Sequence, residues 1–516
     1  MARLDERPYT YFSTVRGMCR TCRKVVPARV FFRGDAVWQE SLCPDCRNEP
    51  AMIASSQKWY LENVLRAAPD RSPLKGSRPP SLGCPGDCGP CSWHASPCQL
   101  PVVSVTNACN LDCPICFTYN RKDRIYHMPV EEMRRTVDWV VESSGPVDLI
   151  NVTGGEPTLH PQILDVLETC RRPEIGRITM NSNGLRLAED RELCRRLADL
   201  GVCVILSFNA FDAETSTRLH GRDVVAEKLR AIENLSAAGA RIGLLNVMVR
   251  GVNEDVAGRL LGMLRTNDLI LSLTVQTMTY TGQGGGRFPD RRHIPVDEAA
   301  RLVSSGSDGA LEPSDFVPRT SAHPMCYAVS YLLRTGRGLV PFTRFAPRER
   351  ISELLADSYL IRLGERDGFF RSAIDELYAR GEDGGLRVLR ELVERLYPSK
   401  TSTKKGSRVF SPKGPGEAKK GSGVFSRPAQ PGRPEGRSAE KTPDPFFASE
   451  FERQRAAEAA VRTVTVHAHM DEDNFDCSRA CQCPDLVPAE PGRLIPACTY
   501  NLFYRMKDER FYAQPD

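Results

Sequence analysis

The chain has 516 residues, 41% hydrophobic and 26% charged, with a net charge of +5. These values exclude a fibrous or wholly disordered chain, and at about 150 residues per domain they predict two to four domains. No apolar run approaches the roughly 18 residues of a membrane span, although peripheral membrane contact stays open. The charge is uneven: Ser399–Lys441 holds 11 Lys and Arg against 3 Glu, a net of +8, so the rest of the chain sits near −3. A broad nucleic-acid surface is not expected on such a chain. Residues Met1 to Pro8 are charged and have no apolar core, which predicts no secretory signal and a cytosolic protein. Disulfides are rare in a reducing cytosol, so the 19 cysteines, most of them in tight groups, read as metal ligands.

Residues 1–65 are expected to form a small domain of the rubredoxin or zinc-ribbon kind. Cys19-Arg-Thr-Cys22 and Cys43-Pro-Asp-Cys46 are two C-x2-C knuckles flanking strand-like stretches at Ala28–Phe32 and Ala36–Gln39. Four thiolates at that spacing close a tetrahedral site, and Zn and a single Fe are both compatible with it. Residues 66–99 begin rich in Pro and Gly and end in Cys84-Pro-Gly-Asp-Cys88-Gly-Pro-Cys91, with Cys98 following. From 100 to 312, strand-like runs at 100–105, 147–153, 177–182, 202–208, 241–249 and 271–278 alternate with helical patterns. That alternation predicts an α/β unit with a parallel sheet, either doubly wound or a partial barrel, binding ligands at the C-terminal ends of its strands. Residues 313–398 read as mostly helical. Residues 399–445, rich in Lys, Gly, Ser and Pro, read as a disordered basic linker. Residues 446–516 read as a structured extension with the last cysteines.

The chemistry centres on Cys109-Asn-Leu-Asp-Cys113-Pro-Ile-Cys116, just after the first strand of the α/β unit. Three thiolates on one short loop can hold three irons of a 4Fe-4S cube and leave the fourth open to a chelating ligand. Gly154-Gly155-Glu156 follows at the end of the second strand. There the glycines permit close backbone approach and the carboxylate can meet an ammonium. The Gly-rich run 282–286 lacks the Lys-Ser/Thr of a phosphate loop and reads as a flexible active-site loop.

Cys109, Cys113 and Cys116 followed by Gly154-Gly155-Glu156 resemble the radical S-adenosylmethionine (SAM) superfamily. The resemblance implies a partial (β/α)6 barrel and a SAM-binding 4Fe-4S cluster. It also implies reductive cleavage of SAM to a 5′-deoxyadenosyl radical. By the superfamily's pattern, Gly154, Gly155 and Glu156 would contact the methionine moiety, with Asn181, Asn183, Ser207 and Asn209 as further SAM contacts. A wider resemblance rests on the Cys84–Cys91 segment, Ser321-Ala-His-Pro-Met-Cys326, His469-Met-Asp471, Cys481-Gln-Cys483 and Gly492 to Asn501. These segments resemble the group that holds archaeal tetraether lipid synthase and the methanopterin C-methylase, which implies auxiliary clusters in a Cys-rich C-terminal extension. Cys170, Cys194 and Cys203 are expected in the core. Two auxiliary clusters would then draw on 84/88/91 and 326/481/483/498 as nuclei, with Cys98 and Cys477 less defined.

The expected function is a radical SAM transferase or oxidoreductase. It would abstract hydrogen from an unactivated carbon and form a C–C bond, by methylation or alkyl coupling, on a lipid- or pterin-like substrate. A flavodoxin or ferredoxin would supply electrons. The alternatives are a radical SAM dehydrogenase or peptide-modifying maturase, and a zinc-binding adaptor without catalysis. His94 and His323, beside Cys groups, are read mainly as packing residues, and so are His467 and His469.

Overall fold

The computed structural model describes residues 8–65, 77–89, 91–118, 124–335, 338–354, 359, 461–490 and 493–511. The linker at 399–445 lies outside them, as do most of 355–398 and 446–460.

The N-terminal domain is a four-stranded antiparallel sheet of β1 (Thr10–Met18), β2 (Val25–Arg33), β3 (Ala36–Ser41) and β4 (Ala51–Ala54), in that order. A helix at Gln57–Val64 follows, capped by Ser56, whose hydroxyl accepts from the Trp59 N–H. Both C-x2-C knuckles sit in turns, the first between β1 and β2 and the second between β3 and β4.

The six expected strands form with ends within two residues of expectation: β5 (Leu100–Thr106), β6 (Val147–Gly154), β7 (Ile175–Ser182), β8 (Cys203–Ser207), β9 (Arg241–Met248) and β10 (Ile270–Thr277). They lie parallel and in sequential order. Short runs such as Cys-Val-Ile-Leu in β8 suit a sheet covered on both faces. Helices between the strands supply the cover. Val130–Ser144, for instance, buries Met133, Val137 and Val140 on one stripe.

Beyond β10 the structure departs from expectation. The span from Val317 to Pro341 is not helical but holds β11 (Val317–Pro318), β12 (Tyr327–Thr335) and β13 (Gly338–Pro341). A seventh parallel strand, β14 (Val461–His467), pairs with β10, matching Leu273 with Val464, and β12 runs antiparallel on its other side. On the opposite edge, β15 (Asp485–Glu490) lies parallel to β5 and carries β16 (Arg493–Pro496). The C-terminal segment therefore covers both edges of the six-stranded core, which closes off unpaired backbone groups.

The N-terminal sheet is not a separate bead. Gln39 Nε2 donates to the Phe475 carbonyl at 2.8 Å, and Met18 packs among Met470, Phe475 and Leu502. The backbone N–H groups of Ser55 and Ser56 both donate to Asp297 in the barrel. Among the described residues, no helix is long and apolar enough to cross a membrane.

Candidate functional site

The loop after β5 is gripped at its base. Asn107 spans it, donating from Nδ2 to the Arg124 carbonyl at 2.8 Å and accepting at Oδ1 from the Tyr126 N–H at 2.8 Å. Gly155 and Glu156 donate their backbone N–H groups to the carbonyls of Thr106 and Ala108, at 2.8 and 2.7 Å. The glycines are dictated by that contact. A Cβ at Gly154 would lie 2.1 Å from the Thr106 oxygen, and one at Gly155 would lie 2.3 Å from the Ala108 oxygen. Within the loop, the Cys116 N–H donates to the Cys113 carbonyl at 3.0 Å, and Cys109, Cys113 and Cys116 are all half-buried. Burial and the neighbouring Cys116 thiol push the Cys113 thiol up to about 12. Ile115, Leu219, Val249, Met278 and Tyr280 pack as an apolar wall against Cys113.

Glu156, expected to meet an ammonium, has its carboxylate turned inward. It is 1% exposed, and its carboxylate accepts from the Thr158 hydroxyl, the Ser182 hydroxyl and the Asn183 N–H at 2.7, 2.9 and 2.6 Å. It locks the end of β7 to the end of β6. Asn183 donates from Nδ2 to Asn110 Oδ1 at 2.7 Å, tying the third strand's end to the Cys loop. Asn209 is also turned inward, accepting from the Val247 N–H at 2.7 Å. Asn181 is half-buried on β7 and makes no side-chain hydrogen bond among the described residues, so of the expected SAM contacts it keeps its polar group available.

Sequence reasoning missed Lys228. This lysine is 1% exposed, and its Nζ donates to the Asn183 carbonyl at 3.0 Å, the Ser207 carbonyl at 2.6 Å and the Ser207 hydroxyl at 3.1 Å. Burial pulls its pKa down to about 8. The signal was present. Lys228, Ala231, Ile232 and Leu235 occupy the i, i+3, i+4 and i+7 positions of the helix Val225–Ala237, and a charge on an apolar stripe points inward. The Gly-rich run is likewise not a flexible loop. It begins a short helix, Gly282–Arg287, pressed on the Cys loop. The Gly284 N–H donates to the Cys116 carbonyl at 2.9 Å, and Gln283 and Arg287 both bind Asp112.

The remaining cysteines sort differently from expectation. A cavity is lined by Cys84, Cys88, Cys91 and Cys481, with His94 beside them. Cys481 thus joins the 84/88/91 group, and Cys477 also touches Cys84. The second group is Cys326, Cys483 and Cys498, which act electrostatically on one another. His469 Nδ1 lies 3.3 Å from Cys498 Sγ, and its ring stacks on Phe117 just after the Cys loop. Cys481 and Cys483 are split between groups because the short helix Cys477–Ala480 ends there and the chain turns into β15. Cys98 is buried in the main apolar core with Cys170 and Cys194 and serves packing. Cys203 is 1% exposed on β8.

Two sets of ligand atoms among the described residues converge to within 4.8 Å: Cys19/Cys22/Cys43/Cys46, and His293/Asp471/Asp473. The first is tight enough for one tetrahedral ion. None of the other cysteine groups among the described residues converges that tightly as a whole. The donor chemistry therefore fits one ion in the ribbon and clusters elsewhere.

The His293 set is an ion-pair network. Asp473 is already held by Arg291 at 3.0 Å and Arg20 at 3.3 Å, while His293 Nε2 lies 3.0 Å from Asp471 Oδ2. Burial lowers the His293 pKa, but the Asp471 and Asp473 charges outweigh it and the net shift is upward. Burial raises Asp471, but the His293 charge outweighs it and the net shift is downward. The histidine's contribution is complete below its ordinary value of 6.5 and is lost as pH rises through the raised pKa. The aspartate's contribution is complete above 3.8 and is lost as pH falls through the lowered one. Stability from this pair should therefore peak between those two values. In His293→Gln, thermal melting followed against pH should lose the decline on the alkaline side. An unchanged profile would mean the pair is not ionised.

The family model of the Radical SAM superfamily matches residues 103–264, and that of the HMPTM N-terminal zinc ribbon domain matches residues 11–55. The chain is similar to the 7,8-dihydro-6-hydroxymethylpterin dimethyltransferase of Methanocaldococcus jannaschii, at 23% identity over 96% of this chain and 95% of that one. It is also similar to a probable GTP 3′,8-cyclase of Thermoplasma volcanium, at 25% identity over 53% of this chain and 78% of that one. A crystal structure of Streptococcus suis SuiB bound to its precursor peptide aligns with a TM-score of 0.35, at 19% identity over 42% of this chain and 46% of that chain.

Proposed function

We propose that this chain, which carries a radical SAM domain behind an N-terminal zinc ribbon, is a radical C-methyltransferase acting on a pterin-like small molecule. The observation that carries the reading is the extent of its likeness to the pterin dimethyltransferase, which runs through the ribbon, the barrel and the C-terminal segment alike. When bound, the 4Fe-4S cluster and SAM supply one-electron cleavage of SAM and abstraction of a hydrogen atom from carbon, chemistry that no side chain can perform alone.

The protein's own residues have separable tasks in this reading. Cys109, Cys113 and Cys116 hold three irons and leave one position for SAM. Gly154, Gly155 and Glu156 fix the loop that presents those thiols. Lys228 holds the ends of β7 and β8 in register with the loop, and Asn181 is the contact available to SAM. The apolar wall of Ile115, Leu219, Val249, Met278 and Tyr280 keeps water from a reactive species. Cys84, Cys88, Cys91 and Cys481 hold one auxiliary cluster, and Cys326, Cys483 and Cys498 hold three positions of a second. Arg479 supports metal at that second group. It is 4% exposed, and Nε and Nη2 both donate to Cys326 Sγ at 3.4 Å. A buried guanidinium needs an anion, and a metal-bound thiolate is one. A small reducing protein such as flavodoxin or ferredoxin supplies the electron.

The test is incubation of anaerobically reconstituted protein with SAM, dithionite and a 6-hydroxymethyl dihydropterin, followed by mass spectrometry. A gain of methyl mass on the pterin together with 5′-deoxyadenosine supports the reading. 5′-Deoxyadenosine with an unmodified pterin would move the substrate elsewhere while keeping the radical chemistry.

A further inference from the structure

Where the ribbon, the Cys loop and the C-terminal segment meet, a small cavity is lined by Arg23, Phe117, Thr118, Thr281, Asn501 and Arg505. Arg505 is 6% exposed, and among the described residues its Nε and Nη2 have no hydrogen-bond partner. Those two N–H groups lie on one edge of the guanidinium and point the same way, the fork that grips a carboxylate or phosphate through two parallel bonds.

The nearest acid in sequence does not satisfy it. Asp508 accepts from the Tyr500 hydroxyl at 2.7 Å and from Arg510 at 3.0 and 2.8 Å. Across the cavity, Glu472 accepts from the Thr281 hydroxyl at 3.1 Å and pairs with Arg23 at 3.5 Å. The face of Arg505 rests 5.0 Å from the Phe511 ring, which positions the cation without neutralising it. Arginine stays charged even when buried; Tyr500, Cys116 and Asp508 act on this one electrostatically, but among the described residues none of them accepts a hydrogen bond from the Nε/Nη2 edge. Thr118, on the same wall, touches Cys116 Sγ at 3.3 Å, so the cavity opens beside the loop of three thiols.

We propose that Arg505 anchors an anion-binding subsite that takes a carboxylate or phosphate group of the small molecule bound beside the Cys loop. The identity of that molecule rests on the radical SAM reading, in which the anion is either the SAM carboxylate or an acidic group on the substrate. The fork itself does not depend on that reading.

The test uses reconstituted holoprotein in three forms: wild type, Arg505→Lys and Arg505→Met. Thermal melting is followed against inorganic phosphate at constant ionic strength, and SAM affinity is measured on the same samples. Phosphate should raise the wild-type midpoint, less so in Arg505→Lys and not in Arg505→Met. Without phosphate, Arg505→Met should melt no lower than wild type, because an unpaired buried cation has been removed. A loss of SAM affinity of about tenfold in Arg505→Met would identify the anion as the SAM carboxylate. Unchanged SAM affinity with a phosphate response would place the anion on the substrate. No phosphate response in wild type together with equal SAM affinity in all three forms would overturn the subsite. Absence of 5′-deoxyadenosine from wild type would defeat the radical reading and leave the phosphate result standing.

Discussion

Replacing Cys113 with alanine is expected to abolish 5′-deoxyadenosine formation and to lower iron by about four atoms per chain, the content of one cube. Metal bound at the ribbon or at the other cysteine groups should stay, because those cysteines lie on other elements. Cys113 is the middle thiol of the loop, packed against the apolar wall with His220 Nδ1 3.6 Å from its sulfur, and alanine removes the thiolate that holds the iron there. Its thiol is pushed up to about 12 by burial, which means the proton leaves only when metal takes its place. Cluster loading at this loop should consequently weaken at low pH. Iron and sulfide analysis beside a SAM-cleavage assay reads both effects. A Cys113→Ala protein that still cleaved SAM at the wild-type rate would remove this loop from the chemistry.

The second large effect is expected from Gly155→Ala. The added Cβ would lie 2.3 Å from the Ala108 oxygen, 2.8 Å from its carbonyl carbon and 2.9 Å from the Asn107 oxygen. All three are backbone atoms of the Cys loop, so none can swing aside as a side chain would. We expect a cost of about 3 kcal/mol, the upper end for overpacking, and displacement of the loop that carries Cys109. The measurement is cluster loading and melting temperature, with Gly262→Ala as the control. Gly262 sits in the helix Val256–Thr266 with open space where the Cβ would go. Alanine there should be neutral or stabilise by about 1 kcal/mol. Normal loading and melting of Gly155→Ala would mean the two backbones can separate without consequence.

Local features were legible in the residues alone. The six strands of the barrel core and both knuckles of the ribbon depend on spacing within a few residues, and the structure has all of them. The three-thiol loop and Gly154-Gly155 were legible for the same reason. Glu156 was legible as a residue that matters, but its direction was not. Whether a carboxylate faces a ligand or the core depends on Ser182 and Asn183, which belong to another strand. Lys228 could have been found from its place on an apolar stripe.

By itself the sequence determined the α/β core, the tetrahedral ribbon site and the loop that presents three cysteines. Each is set by contacts between near neighbours, where residue type and spacing suffice. Tertiary structure alone decided that Cys481 joins Cys84, Cys88 and Cys91 while Cys483 joins Cys326 and Cys498. It also decided that β14 extends a sheet begun more than 300 residues earlier, and that Arg505 lies buried beside the Cys loop with Nε and Nη2 unpaired among the described residues. Those outcomes depend on which surfaces cover the edges and ends of the barrel. They are fixed by packing between segments far apart in the chain, and local spacing carries no record of it.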